Sequence, residues 1–277
     1  KSNFYKRLAY DEILASFLVH SEIRKKIKKI KKHKKIFNFT DQNKILSKLS
    51  FKLTNDQQKT INEINIDLMS NQKMFRLLQG DVGSGKTIVA LLAAFNVVKS
   101  GFQVAVMAPT EILARQHYTL AKEIFDKDIK IEILSSKSES KDKKMITKKL
   151  FNNEINLVFG THAIFQKKIS FKKLGLIVID EQHKFGVNQR KKLSDKGGDN
   201  CDILLMSATP IPRTLTMTIY GDMDISIIKE KPKLRKEVKT YSKLEGKIDE
   251  ILRFITKEIN NDNQIFWVCP LIEESKK

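Results

Sequence analysis

Residues Gly80-Asp81-Val82-Gly83-Ser84-Gly85-Lys86-Thr87 fill every required position of the pattern G-x-x-x-x-G-K-[ST]. The residue types suit one chemistry. Glycines at this spacing let consecutive backbone N–H groups turn inward around a phosphate chain, where a Cβ would obstruct them. Lys86 then reaches the β- and γ-phosphates, and the Thr87 hydroxyl ligates Mg²⁺. The flanks agree with this reading. Phe75-Arg76-Leu77-Leu78-Gln79 reads as a strand running in and Ile88 to Lys99 as a helix running out, so the phosphates meet a helix N-terminus. The motif predicts a nucleoside triphosphate ligand.

A second constellation is Asp180-Glu181, at the end of the apolar run Leu174-Gly175-Leu176-Ile177-Val178-Ile179. With a phosphate loop upstream, Asp180 is expected to hold Mg²⁺ and Glu181 to orient and polarise the attacking water. Two solvated carboxylates at a strand end are the bland alternative. One strand later, Ser207-Ala208-Thr209-Pro210 offers hydroxyls that could bridge the nucleotide site to a moving element.

These groups need a scaffold that brings them to one place. Residues 75–79, 103–108, 130–134, 156–159, 175–180 and 202–207 read as strands, with helical patterns at 86–100, 111–126 and 140–152. Short strands alternating with helices predict an α/β fold, a parallel sheet with helices on both faces. Ligands of such sheets bind at the carboxyl ends of the strands, where every motif above falls. Before this rhythm, residues 4–36 read as one long helical connector. Leu8, Ile13, Leu14, Phe17 and Leu18 recur along it at helical spacing, and the cationic run Arg24 to Lys35 closes it. That run is either a solvated helix face or a contact tracking a nucleic-acid backbone. After the sheet, residues 230–245 read as a linker, followed by a helix Lys247–Ile259 and a strand Ile265-Phe266-Trp267-Val268.

The order of Walker A, Asp-Glu-x-His and Ser-Ala-Thr resembles the first motor domain of superfamily 2 helicases. Gln57, in Leu53-Thr54-Asn55-Asp56-Gln57, stands where these enzymes read adenine. Ala108-Pro109-Thr110-Glu111 resembles motif Ia and Gly160-Thr161-His162 motif Ib, two loops that lie along the nucleic-acid backbone in that family. Further strings narrow the resemblance. Ile112-Leu113-Ala114-Arg115-Gln116-His117, Gln182-His183-Lys184-Phe185-Gly186-Val187, Pro210-Ile211-Pro212-Arg213-Thr214-Leu215, Tyr220-Gly221-Asp222-Met223-Asp224-Ile225-Ser226 and Trp267-Val268-Cys269-Pro270 are similar to the RecG family of bacterial ATP-dependent DNA helicases.

The resemblance implies a RecA-like ATP-binding domain at 51–235, a helical connector at 1–50 and a truncated start of a second RecA-like domain at 236–277. It implies ATP and Mg²⁺ as cofactors, a nucleotide site of Gln57 and residues 80–87, and a Mg²⁺ site of Thr87 and Asp180. Catalysis would rest on Lys86, Asp180 and Glu181. Coupling would run through Gln182, His183, Ser207, Ala208 and Thr209, and DNA contact through Pro109, Thr110, Glu111, Gly160, Thr161 and His162. Arg213 is expected to be a hinge or interlobe residue. The implied partners are branched or duplex DNA and the family's wedge and second motor domains, in a monomeric cytoplasmic protein at the bacterial nucleoid. Lacking the second lobe's arginines, the fragment is expected to turn over little ATP. Two alternatives are a nucleotide-gated DNA-binding module without motor activity and the motor of the transcription-repair coupling factor.

Composition sets the outer bounds. The net charge of +20 over 277 residues invites a nucleic-acid partner, although Lys, Ile and Asn share AT-rich codons. No apolar run is long enough to span a membrane. Cys201 and Cys269 lack metal-site spacing and read as inert core residues.

Overall fold

The computed structural model describes residues 3–135, 140–166, 168–181, 197–209, 223–230 and 239–268. The chain divides into two compact units, Lys1–Lys233 and Leu234–Lys277.

The first unit is built on a seven-stranded parallel sheet in the order β3-β4-β2-β5-β6-β1-β7. Its strands are β1 (Phe75–Gly80), β2 (Gln103–Met107), β3 (Ile131–Leu134), β4 (Leu157–Gly160), β5 (Leu174–Ile179), β6 (Asp202–Ser207) and β7 (Asp224–Ile228). Strands β5 and β6 are buried along their whole length, as central parallel strands covered on both faces must be. Alternation sorts each strand's side chains between two cores. Val104 and Val106 of β2 join one apolar cluster, and Ala105 and Met107 join the other.

Local sequence explains the helices. Helix α3 (Asn55–Met69) opens with a capping box, in which Thr54 accepts from the Gln57 backbone and the Gln57 side chain accepts from the Thr54 N–H. Helix α4 (Lys86–Lys99) is apolar almost all round, and every residue from Ile88 to Val98 is buried between the sheet and its neighbours. It ends at Gly101, whose φ of 80° suits the left-handed turn that closes a helix. Helix α5 (Glu111–Ile124) is capped by Thr110 and buries Ala114, His117, Ala121 and Ile124, one face at helical spacing. Helix α6 (Ser140–Phe151) places Ile146 and Leu150 against the second core.

The connector differs from expectation. Helix α1 (Asn3–Lys29) stops seven residues short of the predicted end, the chain runs extended, and a separate helix α2 (Phe39–Lys48) follows. Tertiary bonds override helical periodicity here. Lys32 N–H donates to Asn71 O at 2.9 Å, Lys35 N–H to Leu68 O at 3.0 Å and Lys73 N–H to Ile30 O at 3.3 Å. Neither reading of the cationic run holds for Lys32 and Lys35, which are buried. The apolar stripe of α1 is exposed, with Leu8 at 69% and Leu18 at 60%.

Strand β7 is absent from the sequence reading. Its residues pair with β1 in parallel, from Arg76–Asp224 to Gly80–Ile228.

In the second unit, helix α7 (Ile248–Asn260) forms within one residue of its predicted start, without burying a side chain. The predicted strand Ile265–Val268 does not form. A strand needs a hydrogen-bonded neighbour, and these residues have none among the described ones; Phe266 and Val268 are each 87% exposed.

Candidate nucleotide site and the edge that carries it

The motifs line up along the carboxyl edge of the sheet. Reading across the strand order, motif Ib follows β4, motif Ia follows β2, Asp180-Glu181 follows β5, Ser-Ala-Thr closes β6 and the phosphate loop leaves β1. The sequence spreads these groups over about half the chain, and parallel pairing gathers them.

The phosphate loop turns through left-handed backbone at Gly83 (φ 75°) and Gly85 (φ 84°). Gly85 has a second reason to lack a side chain. A Cβ there would sit 2.2 Å from Gln57 Nε2, which donates to Ser84 O at 2.7 Å. Gln57 is buried, and it ties the start of α3 to the loop through its amide while its oxygen accepts from Thr54 N–H at 2.9 Å. Lys86 folds back on the loop and donates to Gly80 O at 2.7 Å and Asp81 O at 2.9 Å. Burial pushes its ammonium below the usual lysine range, and the carboxylates of Asp180, Glu181 and Asp81 oppose that shift. Walker A and Walker B are therefore electrostatic neighbours. The fit to a bound triphosphate is good. The Ser84 hydroxyl is enclosed in the cradle with no hydrogen-bond partner among the described residues. Thr87 is half-buried at the first turn of α4.

Asp180 is held tightly. Its N–H donates to Met107 O at 2.8 Å, and its Oδ1 accepts from the Glu181 N–H at 3.0 Å. His117 Nε2–H donates to its Oδ2 at 2.8 Å, and both side chains are buried. Glu181 takes φ 52°, a left-handed conformation that costs a non-glycine residue about 1–3 kcal/mol. Strain of that size persists where the surroundings over-determine it. Among the described residues no cluster of three or more His, Cys, Asp or Glu could hold a metal by itself. A Mg²⁺ ion is commonly held by one or two protein oxygens together with substrate phosphates and water, which the pair Thr87 and Asp180 can satisfy.

Ser207 Oγ and Thr209 Oγ1 are 2.8 Å apart, and Gln79 Nε2 donates to Thr209 O at 2.9 Å, so Ser207-Ala208-Thr209 is fastened to the strand that feeds the phosphate loop. In motif Ia, Pro109 is half-buried and Thr110 exposed, and Glu111 starts α5. Ala108 N–H donates to Gly160 O at 2.9 Å, which joins motif Ia to motif Ib. Gly160 itself is buried, since a Cβ there would lie 2.4 Å from Leu134 O; Thr161 is half-buried and His162 exposed. Gln182, His183, Pro210, Arg213 and the stretch Tyr220-Gly221-Asp222 lie outside the described residues, as does Cys269. Cys201 is buried, and burial pushes its thiol up to about 12, which suits an inert residue.

Three contacts escaped sequence reasoning. His117 reaches Asp180. Asp56, next to Gln57, accepts from the N–H groups of Lys229 and Glu230 at 2.8 and 3.0 Å. Lys32 and Lys35 converge on Asp202. Only His117 left a legible trace, a polar side chain on the otherwise apolar face of α5, which calls for a buried partner.

Comparison with known proteins agrees with this fold. The family model for DEAD/DEAH box helicases matches residues 54–218. The chain is 47% identical to the ATP-dependent DNA helicase RecG of Aquifex aeolicus, over 99% of this chain and 35% of that protein. It is 43% identical to RecG of Bacillus subtilis, over 98% of this chain and 40% of that protein. A solved structure of RecG bound to a three-way DNA junction superposes with a TM-score of 0.84 at 40% identity, over 96% of this chain and 36% of that chain. The chain thus spans between a third and two fifths of the length of these relatives, and they do not favour the coupling-factor alternative. No helix among the described residues is long and apolar enough to cross a membrane. With a RecA-like sheet and the glycine-rich loop 80–87 at its carboxyl edge, the chain belongs to the DEAD/DEAH box helicase family and is similar to RecG along nearly its whole length.

Proposed function

We propose that this chain is the ATP-binding first motor lobe of a RecG-type DNA helicase, which couples ATP hydrolysis to the remodelling of branched DNA such as stalled forks and Holliday junctions. The observation that carries the proposal is the row of motifs along one sheet edge, with the phosphate loop towards one end and the two candidate DNA loops towards the other. Residues 1–50 act as the connector, 51–235 as the motor lobe and 236–277 as the opening of a second lobe. A wedge domain and the rest of that second lobe complete the machine, which works as a monomer at the bacterial nucleoid.

Backbone N–H groups of residues 83–87 bind the phosphates, and Lys86 leaves the carbonyls of Gly80 and Asp81 to meet them. Thr87 and Asp180 would hold Mg²⁺, whose chemistry there would be to offset phosphate charge. Glu181 positions the attacking water and accepts its proton. Gln57 reads the base from the head of α3 while bracing the loop. Ser207, Ala208 and Thr209, with Gln182 and His183, pass the nucleotide state to the rest of the motor. Pro109, Thr110, Glu111, Gly160, Thr161 and His162 follow the DNA backbone, where contact positions the strand without reading its sequence.

The test is ATP hydrolysis by the full-length protein, with and without three-way junction DNA, against Glu181→Gln. Stimulation by DNA in the parent and loss of turnover with retained nucleotide binding in the variant are expected. Full turnover in Glu181→Gln would remove Glu181 from its assigned role.

A further inference from the structure

We propose that His117 is a positioning residue that couples DNA contact at motif Ia to the Walker B aspartate. The inference rests on the function proposed above and goes further, because it assigns a route between the two sites.

The route is short and physically continuous. Helix α5 begins at the motif Ia cap, Thr110, whose Oγ1 accepts from Leu113 N–H at 3.3 Å. His117 lies seven residues on, which is about 10 Å along the helix at 1.5 Å per residue. Its Nε2–H donates to Asp180 Oδ2 at 2.8 Å in a buried setting. The other end of motif Ia leads back into β2, where Met107 O accepts the Asp180 N–H at 2.8 Å. One unit, β2 with its loop and α5, therefore grips Asp180 by its main chain and its side chain together. Motif Ib joins the same unit through the Ala108–Gly160 bond at 2.9 Å. A displacement of the loop that tilts or slides α5 must move the donor on which the Asp180 carboxylate is aligned. A carboxylate oriented for a metal ion tolerates little rotation, and partners of ligating carboxylates commonly set metal affinity. The face of α5 that carries His117 is otherwise Ala114, Ala121 and Ile124, so nothing else on that face can supply the bond.

The experiment is a linkage measurement on the full-length protein. The affinity for a non-hydrolysable ATP analogue with Mg²⁺ is measured with and without three-way junction DNA, and the affinity for the junction with and without the analogue. The two ratios must agree for a true coupling, and allosteric couplings typically amount to about 5- to 150-fold. His117→Ala is expected to bring the ratio to within about twofold of one, with junction affinity in the absence of nucleotide unchanged within about twofold. His117→Gln, whose amide N–H reaches towards the Nε2 position, is expected to restore coupling; His117→Asn, one bond shorter, is not. A wild-type ratio retained in His117→Ala would overturn the proposal. Equal loss in the Gln and Asn variants, together with a matching loss of thermal stability, would overturn it in favour of a purely structural role. Should His117→Ala fail to fold, the Gln and Asn pair decides alone: a Gln ratio above the Asn ratio supports the proposal and equal ratios overturn it. A parent protein that binds no junction DNA would instead bring down the function proposed above, which is distinguishable from any of these outcomes.

Discussion

The two edges of the sheet bury the same residue types and treat them in opposite ways. At the amino edge, Asp202 is fully buried and accepts from Lys32 Nζ at 2.6 Å, Lys35 Nζ at 2.8 Å and Met74 N–H at 2.7 Å. The lysines complete their shells on Asp67 O at 2.9 Å and Asn200 O at 2.6 Å. At the carboxyl edge, Lys86 Nζ donates to the carbonyls of Gly80 and Asp81, Ser84 Oγ has no partner among the described residues, and Glu181 sits at φ 52°. Both edges hold cations out of water, which is unfavourable unless each is paired and hydrogen-bonded. The amino edge is closed with its own groups and anchors the connector to the start of β1 and β6. The carboxyl edge is left with donors and strain that a bound triphosphate can satisfy. A buried charge with its carboxylate in place belongs to the scaffold; one resting on carbonyls is ready for a ligand.

The contrast can be broken most forcefully at Asp202. Asp202→Ala leaves two buried ammonium groups without their carboxylate and is expected to cost about 3–5 kcal/mol in chemical denaturation. A loss under about 1 kcal/mol would mean that the amino edge is not an anchor. Lys86→Ala should do the reverse. It removes a buried cation that makes no ion pair with a carboxylate among the described residues, so folding stability should hold or rise. Affinity for the triphosphate should fall about 10- to 100-fold, as charged hydrogen bonds worth about 1.5–3 kcal/mol disappear. Equal destabilisation by the two variants would erase the distinction between the edges. A smaller effect sharpens the picture through pH. Burial first of all lowers the Lys32 pKa below its usual 10.5, and Asp202 opposes that shift. Between the lowered value and 10.5 the unfolded chain binds more protons than the folded one, so stability should rise as pH climbs through that window. Lys32→Met should flatten the slope, and an unchanged slope would assign it to other groups. The smallest expected effect is at Ser84. Ser84→Ala deletes a hydroxyl with no partner among the described residues and should shift stability by less than about 0.5 kcal/mol while weakening triphosphate binding.

Legibility followed the range of the interaction. The loop 80–87 and the helix after it were plain, because consecutive residues set the turns and the apolar run sets α4. Strands β1, β2, β5 and β6 were plain for a related reason, since doubly covered parallel strands read as short apolar runs. Strand β7 was missed because Asp224-Ile225-Ser226-Ile227-Ile228 carries two polar residues, and its pairing is earned through β1. One of them, Ser226, is buried and accepts from Arg76 Nη1 at 2.7 Å, a bond invisible until the strands are adjacent. The run Ile265–Val268 failed in the other direction, since β propensity without a neighbouring strand makes no ladder.

Sequence alone set out the candidate chemistry: a glycine-rich loop suited to a triphosphate, an acidic pair at a strand end, hydroxyls one strand later, and a family resemblance on those strings. Each of these is written in residues close together in the chain, where backbone geometry and side-chain type act directly. Tertiary structure alone decided which groups meet. It set the strand order that places the motifs in one row. It paired His117 with Asp180 across 63 positions and Lys32 with Asp202 across 170. Such contacts follow from the packing of whole elements. No local pattern encodes them, because the free energy that selects them is the burial of two apolar cores, and the polar bonds are what that burial makes necessary.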